Sequence, residues 1–306
     1  MSIPIIFIHH GNADCLFYAV WHAKQTNPNS RIILLGDKAN AHFIWLLGIE
    51  HYYTKNYTQS AQLSLKNYIH LSTNGEEFER FCIARWFILH EFLTQNSDIG
   101  RCVYLDSDIL VYDSLDEPAQ NLSKFGMTMV FYSAHTNFIN QPNLLGEFCS
   151  FIRRHYDEED LRQWLRCHHE NFIAEAGCGG ISDMTFFHKF TLSNPDKIAT
   201  LFKPMLINSK LCTFDERIDS DAGGYQLKSD GLKLINWQQY IPYGKHKLSG
   251  KIIKFFTLHF QGRNKQIMVS FVSIINYIFY IKKAINNIIL LKTNTYNKLQ
   301  RFFKRI

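Results

Sequence analysis

The chain has 306 residues, 46% hydrophobic and 15% aromatic, enough to bury a sizeable core; general disorder is excluded and one large domain or two small ones are expected. Its formal charge of +6 is uneven, because residues 231–306 hold 14 of the 33 Lys and Arg and no Asp or Glu, leaving 19 basic against 27 acidic side chains in the first 230 residues. A body of that sign with a strongly basic end points the end at a polyanion, either nucleic acid or an anionic membrane surface.

The first segment, MSIPIIFIHHGNAD, lacks the basic start and small-residue cleavage site of an export signal. It reads as a first strand, IPIIFIHH (3–10), in a body that is not exported. Leu16, Val20 and Ala23 recur at helical spacing over 13–26, NPNS (27–30) turns the chain, and RIILLGD (31–37) is a second buried strand. Continuous apolar strands separated by a helix predict a parallel sheet covered on its faces. A helix is expected over 76–94, with Glu76 and Glu77 in its first turn and Phe78, Phe81, Ile88 and Phe92 as an inward stripe. VYLDSDILVY (103–112) follows as the most apolar strand of the chain, yet it carries Asp106 and Asp108. Residues 144–170 read as one charged helix, and AGCGGISD (176–183) and DSDAGGY (219–225) read as loops. The seven Cys are odd in number and form no C-x-x-C pair, so reduced thiols in a cytosolic compartment are expected.

The end changes character. Residues 267–281, IMVSFVSIINYIFYI, carry no charge, and Lys282, Lys283 and a Lys/Arg-rich stretch follow. Fifteen residues fall short of the roughly 20 that span a bilayer. Aromatics interleaved with lysines suit a segment lying in the membrane interface, with a docked core helix as the alternative.

Two carboxylates one residue apart in an apolar strand need a partner or a metal. Alternate strand side chains share a face, so Asp106 and Asp108 are expected to point together at the mouth of the sheet. Hard oxygen ligands there suit Mg²⁺ or Mn²⁺, and such an ion can bridge a diphosphate. A D-x-D tripeptide alone is a weak signal, and a second copy stands at Asp219 and Asp221 among polar residues. LHFQGRNK (258–265) adds His259, Gly262 and Lys265 in the spacing His-x-x-Gly-x-x-Lys. A neutral imidazole can complete a manganese site, the glycine allows close backbone approach, and the lysine can hold a phosphate.

With these two motifs the sequence resembles the retaining GT-A glycosyltransferases of the group containing glycogenin and the bacterial lipooligosaccharide galactosyltransferases. YLDSDILV resembles the metal-binding D-x-D strand of that group, HFQGRNK its C-terminal motif, and ARWFILHEFL its helix before the D-x-D. The resemblance implies an α/β fold with a mostly parallel, Rossmann-like sheet flanked by helices over 1–265. It implies Asp106, Asp108 and His259 as ligands of Mn²⁺ or Mg²⁺, with Gly262 and Lys265 on the phosphates and Arg85 and Asn12 on the donor. GCGGISDM departs from the group's Asn-x-Gly stretch; Gly179, Gly180 and Asp183 are placed at that loop. There Gly180 is expected at the donor, and Asp183, with Asp106 and Asp108, in the catalytic set, although an aspartate after a glycine loop also serves as a helix cap.

The activity so implied is transfer of a hexose from a nucleotide-diphosphate sugar, UDP foremost, to a glycan or lipid-linked acceptor. Residues 266–306 are expected to hold the protein at the inner face of the membrane, with no nucleic-acid partner. The rival readings are a metal-dependent nucleotide-sugar hydrolase or nucleotidyltransferase, and a non-enzymatic surface-binding protein whose tail is its function.

Overall fold

The structure, a computed structural model, describes residues 2–272; residues 273–306, and with them most of the expected tail, lie outside the described residues. In chain order the strands are β1 (Ile5–Ile8), β2 (Ile32–Gly36), β3 (Glu50–Tyr53), β4 (Cys102–Leu105), β5 (Ile109–Val111), β6 (Met127–Met129), β7 (Thr136–Ile139), β8 (Ile198–Thr200), β9 (Met205–Ile207), β10 (Lys210–Phe214), β11 (Ile235–Gln238), β12 (Ile241–Lys245) and β13 (Ile252–His259). The helices are α1 (Asp14–Thr26), α2 (Phe43–Leu47), α3 (Gln59–Ser64), α4 (Glu76–Gln95), α5 (Asp116–Asn121), α6 (Pro142–Asp157), α7 (Glu159–Ala176) and α8 (Asp183–Ser193), with a 3₁₀ helix over Gly262–Phe271.

The central sheet has the order β3-β2-β1-β4-β7, parallel except for β7, which runs antiparallel to β4. This is the α/β arrangement that the apolar strands predict. β1, β2 and β4 are buried along their whole length because helices cover both faces. One face packs on Leu16, Val20 and Trp21 of α1, the other on Trp86, Leu89 and Phe92 of α4 with Phe148 of α6 and Phe187 of α8. A second sheet, β11-β12-β13-β10-β9, carries β5 against β13.

Three expectations change. The run 103–112 is not one strand: it breaks at Asp106–Asp108, and Ile109 N–H closes a turn on Asp106 O at 3.3 Å. β4 stays in the central sheet while β5 crosses to the second one, so the two aspartates sit on the turn between sheets and strand alternation does not set their directions. The helix expected over 144–170 is two, because Glu158 is extended (φ −90°, ψ 129°) and separates α6 from α7. Phe78 is not part of the inward stripe of α4 but stands exposed at its first turn.

The local signals otherwise agree with the chemistry. Glu76, Glu77 and Glu79 occupy the first turn of α4, where carboxylates complement the helix dipole. Pro142 opens α6 at a position where the missing N–H matters least, and Gly177 closes α7 in the left-handed region. Met268 and Val272 are buried in the core under the second sheet, so the described chain packs against the body up to its last residue.

Candidate active site

The turn between β4 and β5 and the end of β13 open into one cleft of about 870 Å³. Antiparallel pairing of His259 with Ile109 puts the last residue of β13 beside the aspartate turn, 150 residues away in sequence, and Phe260 N–H donates to Asp108 O at 3.0 Å. His259 Nε2 lies 3.6 Å from Asp108 Oδ1, and Lys265 Nζ lies 3.2 Å from Asp108 Oδ2. Both Asp108 and His259 are buried.

The imidazole is fixed from behind. Its Nδ1 lies 2.5 Å from the Glu216 carbonyl oxygen, which can only accept, so Nδ1 carries a proton and, in the neutral ring, Nε2 presents a lone pair to the cleft. Asp215 accepts the His259 backbone N–H at 3.0 Å, and Asp215 is itself held by Lys233 at 2.8 Å, both side chains fully buried. A histidine oriented by a second hydrogen bond at its far nitrogen is how protein metal sites hold their imidazoles. Asp108 Oδ1 is buried and has no hydrogen-bond partner. Two acceptors, an orphaned carboxylate oxygen and an imidazole lone pair, thus face each other, an arrangement that a cation relieves. Carboxylate oxygen with neutral imidazole is a donor set suited to Mn²⁺ or Mg²⁺.

Asp106 lies in the same cleft but is turned to other partners. Its Oδ1 accepts from Arg85 at 2.8 Å and from the Tyr104 hydroxyl at 2.6 Å, and its N–H donates to His135 O at 2.8 Å. Among the described residues no group of three His, Cys, Asp or Glu side chains gathers closely enough to hold an ion; Asp108 and His259 are two groups that could hold one, and the Arg85 charge occupies the third carboxylate.

Arg85 spans the floor of the cleft. Its other guanidinium nitrogen bonds Asp183 Oδ2 at 2.6 Å, and the Trp86 indole N–H donates to the same oxygen at 3.0 Å. Burial by itself would lower the Arg85 pKa; the carboxylates of Asp106 and Asp183 outweigh it and hold the group well above its ordinary value. Asp183 is the first residue of α8, and the cap is Ser182, whose N–H is met by Thr185 Oγ1 at 3.3 Å. Asp183 is therefore not the cap, and its Oδ1 lies outside the bonds from Arg85 and Trp86.

Gly180 also lines the cleft, at φ +150°, and forms an isolated bridge with Ser72. A Cβ there would clash with the Leu71 carbonyl oxygen and lie 2.6 Å from Ser72 Cα, so only glycine lets the two loops zip together. Gly262 lines the opposite end at φ +62° and opens the 3₁₀ helix that carries Lys265 inward. Burial lowers the pKa of Lys265, but the Asp108 carboxylate more than offsets this and the net shift is upward.

Asn12 stands apart. It is exposed on the loop after β1 and does not line the cleft; that loop is tied back by Gly11 N–H to Asp37 at 2.6 Å and by the Asn40 amide. His9, three residues earlier, does line it, with Nδ1 3.0 Å from Ser107 Oγ. The second D-x-D lies elsewhere, Asp219 paired with Arg217 at 2.7 Å and Asp221 with Lys247 at 2.7 Å. His168 stacks on Trp164 at 4.8 Å with no metal partner in sight among the described residues. Sequence reasoning does not find Tyr104, Trp86, His135 or Glu216. The His135 ring lies 4.0 Å from that of His259, and burial first and the neighbouring imidazole second push its pKa well below the ordinary histidine value.

No family model matches the chain, and no curated sequence does. Solved structures do. The WbbM bifunctional glycosyltransferase superposes with a TM-score of 0.51 at 11% identity, covering 89% of this chain and 50% of its own; this chain thus spans half the length of that enzyme. Mouse xyloside xylosyltransferase 1 gives a TM-score of 0.47 at 10% identity, over 66% of this chain and 85% of its own. The galactosyltransferase LgtC, solved with donor and acceptor sugar analogues, gives 0.34 at 16% identity over 51% and 66%. Parallel sheet, strand-end cleft and the WbbM superposition agree on one conclusion: the chain has the GT-A glycosyltransferase fold.

Proposed function

We propose that the protein is a metal-dependent glycosyltransferase that moves a hexose from a nucleotide-diphosphate sugar, UDP foremost, to a hydroxyl of a glycan or lipid-linked acceptor, with retention at the anomeric carbon. The observation that carries this is the buried, partnerless Asp108 oxygen facing the lone pair of a histidine whose tautomer is fixed by Glu216, with Lys265 on the same carboxylate.

In this reading Asp108 and His259, with Asp106 beside them, hold Mn²⁺ or Mg²⁺. Once bound, that ion supplies positive charge against the leaving diphosphate. Lys265 adds a point charge at the same end, and the Gly262 turn lets the backbone approach the phosphates. Arg85 orients Asp183 toward the point where the donor sugar and the acceptor hydroxyl meet by holding one of its oxygens. Transfer breaks the bond between the anomeric carbon and the phosphate oxygen, and its electron pair leaves with the diphosphate. The acceptor oxygen bonds the anomeric carbon and gives its proton to the departing phosphate or to water. Fixed charges aimed at the developing negative charge are where most of the rate would come from.

Residues 273–306 serve in the same proposal as an interfacial attachment to an anionic inner leaflet, each Lys or Arg adding about 1 kcal/mol near the surface. Their composition supports this, and among the described residues no helix is long and apolar enough to cross a membrane.

The test is a thermal-shift panel of nucleotide sugars with and without Mn²⁺, followed by product analysis with the labelled donor that responds. Stabilisation that needs both metal and one donor, and label appearing on an acceptor, is the expected result. A flat panel, or label released only as free sugar, refutes transfer.

A further inference from the structure

The cleft is chemically divided. At one end lie Lys265, His259 and the Gly262 turn. Apart from the Arg85–Asp183 ion pair, whose charges offset one another, the charged side chains of the other end are Glu77 and the buried Glu79, which is engaged by Asn74 at 2.6 Å and Ser72 at 3.2 Å. A diphosphate is repelled there, so whatever occupies that end is not the nucleotide.

That same end presents three large apolar side chains to solvent: Phe78 is 60% exposed, Phe172 39% and Met184 38%. They come from three different elements, α4, α7 and α8, and meet around Asp183 and the Gly179–Gly180 loop. Phe172 is seated directly over Gly179, where a Cβ would lie 2.7 Å from its ring. The three do not belong to the core clusters; their apolar surface is left for a ligand. Phenylalanine and methionine offer no hydrogen bond to a hydroxyl, unlike the tyrosine, tryptophan or amide groups that would suit a purely polar sugar chain.

We propose that this end of the cleft binds an apolar aglycone, and that the acceptor is an amphipathic glycoside whose hydroxyl head lies at Asp183 and whose hydrocarbon lies on Phe78, Phe172 and Met184. This rests on the transferase reading above and names the acceptor class for that site. Each methylene that leaves water favours binding by about fourfold. An alkyl chain only partly covered by three side chains then improves kcat/KM by at least about tenfold, the equivalent of about 1.4 kcal/mol.

The experiment uses the full chain with Mn²⁺ and UDP-hexoses, and compares methyl with octyl glycosides of the same sugars, below the micelle threshold, as acceptors. Expected is at least tenfold higher kcat/KM for the octyl series, falling below threefold in Phe78→Ser and in Met184→Gln; both positions are solvent-exposed, so the variants retain the core. Equal use of methyl and octyl glycosides, or an octyl preference that survives both substitutions, overturns the inference and leaves transfer intact. A preference for a free disaccharide over the octyl monosaccharide overturns it too, because the rings then stack on sugar. Absence of any transfer, together with no Mn²⁺-dependent thermal shift from any nucleotide sugar, overturns the transferase reading itself, and the inference with it.

Discussion

Asp108→Asn separates holding the fold from holding a metal. In the wild type, Asp108 Oδ1 has no partner and faces the His259 lone pair at 3.6 Å, while Oδ2 pairs with the half-exposed Lys265. An asparagine amide at the same place can donate to Nε2, turning an acceptor–acceptor contact into a hydrogen bond with a net gain of about 0.5–1.5 kcal/mol. Losing the Lys265 pair removes about 0.2–1 kcal/mol. The metal-free variant is therefore expected within about 1 kcal/mol of wild type, or about 2–4 °C in Tm. With Mn²⁺ at a hundred times its Kd, wild type gains about 2.7 kcal/mol, a rise of roughly 5–10 °C, and the variant gains none. Urea titrations and thermal scans in EDTA and in Mn²⁺ read both effects. A metal-free loss of about 3–5 kcal/mol would mean that a charged His259–Asp108 pair had been broken. An equal Mn²⁺ response in both proteins would remove Asp108 from the ligand set.

Three other outcomes follow from the structure. His22 is buried with Nδ1–H on Val111 O at 2.5 Å, and burial depresses its pKa to about 4 against that hydrogen bond. The unfolded chain takes up a proton near pH 6.5 that the folded one refuses, so the contribution is intact above pH 6.5 and is lost as pH falls toward 4. Between pH 7.5 and 5 this amounts to about 2 kcal/mol, a loss that urea midpoints should show in wild type and not in His22→Gln. Gly180→Ala must part the 71–72 and 179–180 loops; unfolding free energy should fall by about 1–3 kcal/mol, and an unchanged urea midpoint would contradict the close approach. Arg85→Met leaves Asp106 and Asp183 without their cation and should destabilise by about 3–5 kcal/mol. Adding Asp183→Asn should then recover part of that loss, and strict additivity in the double-mutant cycle would contradict the shared ion pair.

The layered fold was legible because its central strands are buried on both faces and read as apolar runs flanked by helical spacing. The aspartate turn was not, since VYLDSDILVY is uniformly apolar around its acids, and only pairing with β13, far along the chain, shows that it serves two sheets. His259 and Lys265 were readable from spacing; Glu216 was not, because its contribution is a backbone carbonyl and any residue supplies one. Trp86 and Tyr104 read as core residues and are core residues; the Trp86 indole reaches Asp183 because α4 packs against α8, and the Tyr104 hydroxyl turns onto Asp106 two residues on. Phe78 fitted the helical stripe by spacing and failed it because the first turn of α4 extends past the sheet into the cleft.

The charges in the cleft impose an order on what can enter. Three carboxylates, Asp106, Asp108 and Asp183, face two fixed cations, Arg85 and Lys265. The floor is thus slightly anionic and repels a bare diphosphate. In the proposed reaction one divalent cation would reverse the sign at the end where Lys265 already stands, so the diphosphate would be accepted only with the ion or after it. The opposite end keeps its glutamates and its apolar surface throughout, and an uncharged acceptor meets no such barrier. Arg85 is common to both halves: one nitrogen restrains Asp106 at the ion end, the other aims Asp183 at the acceptor end, and a shift of the guanidinium toward either alters both.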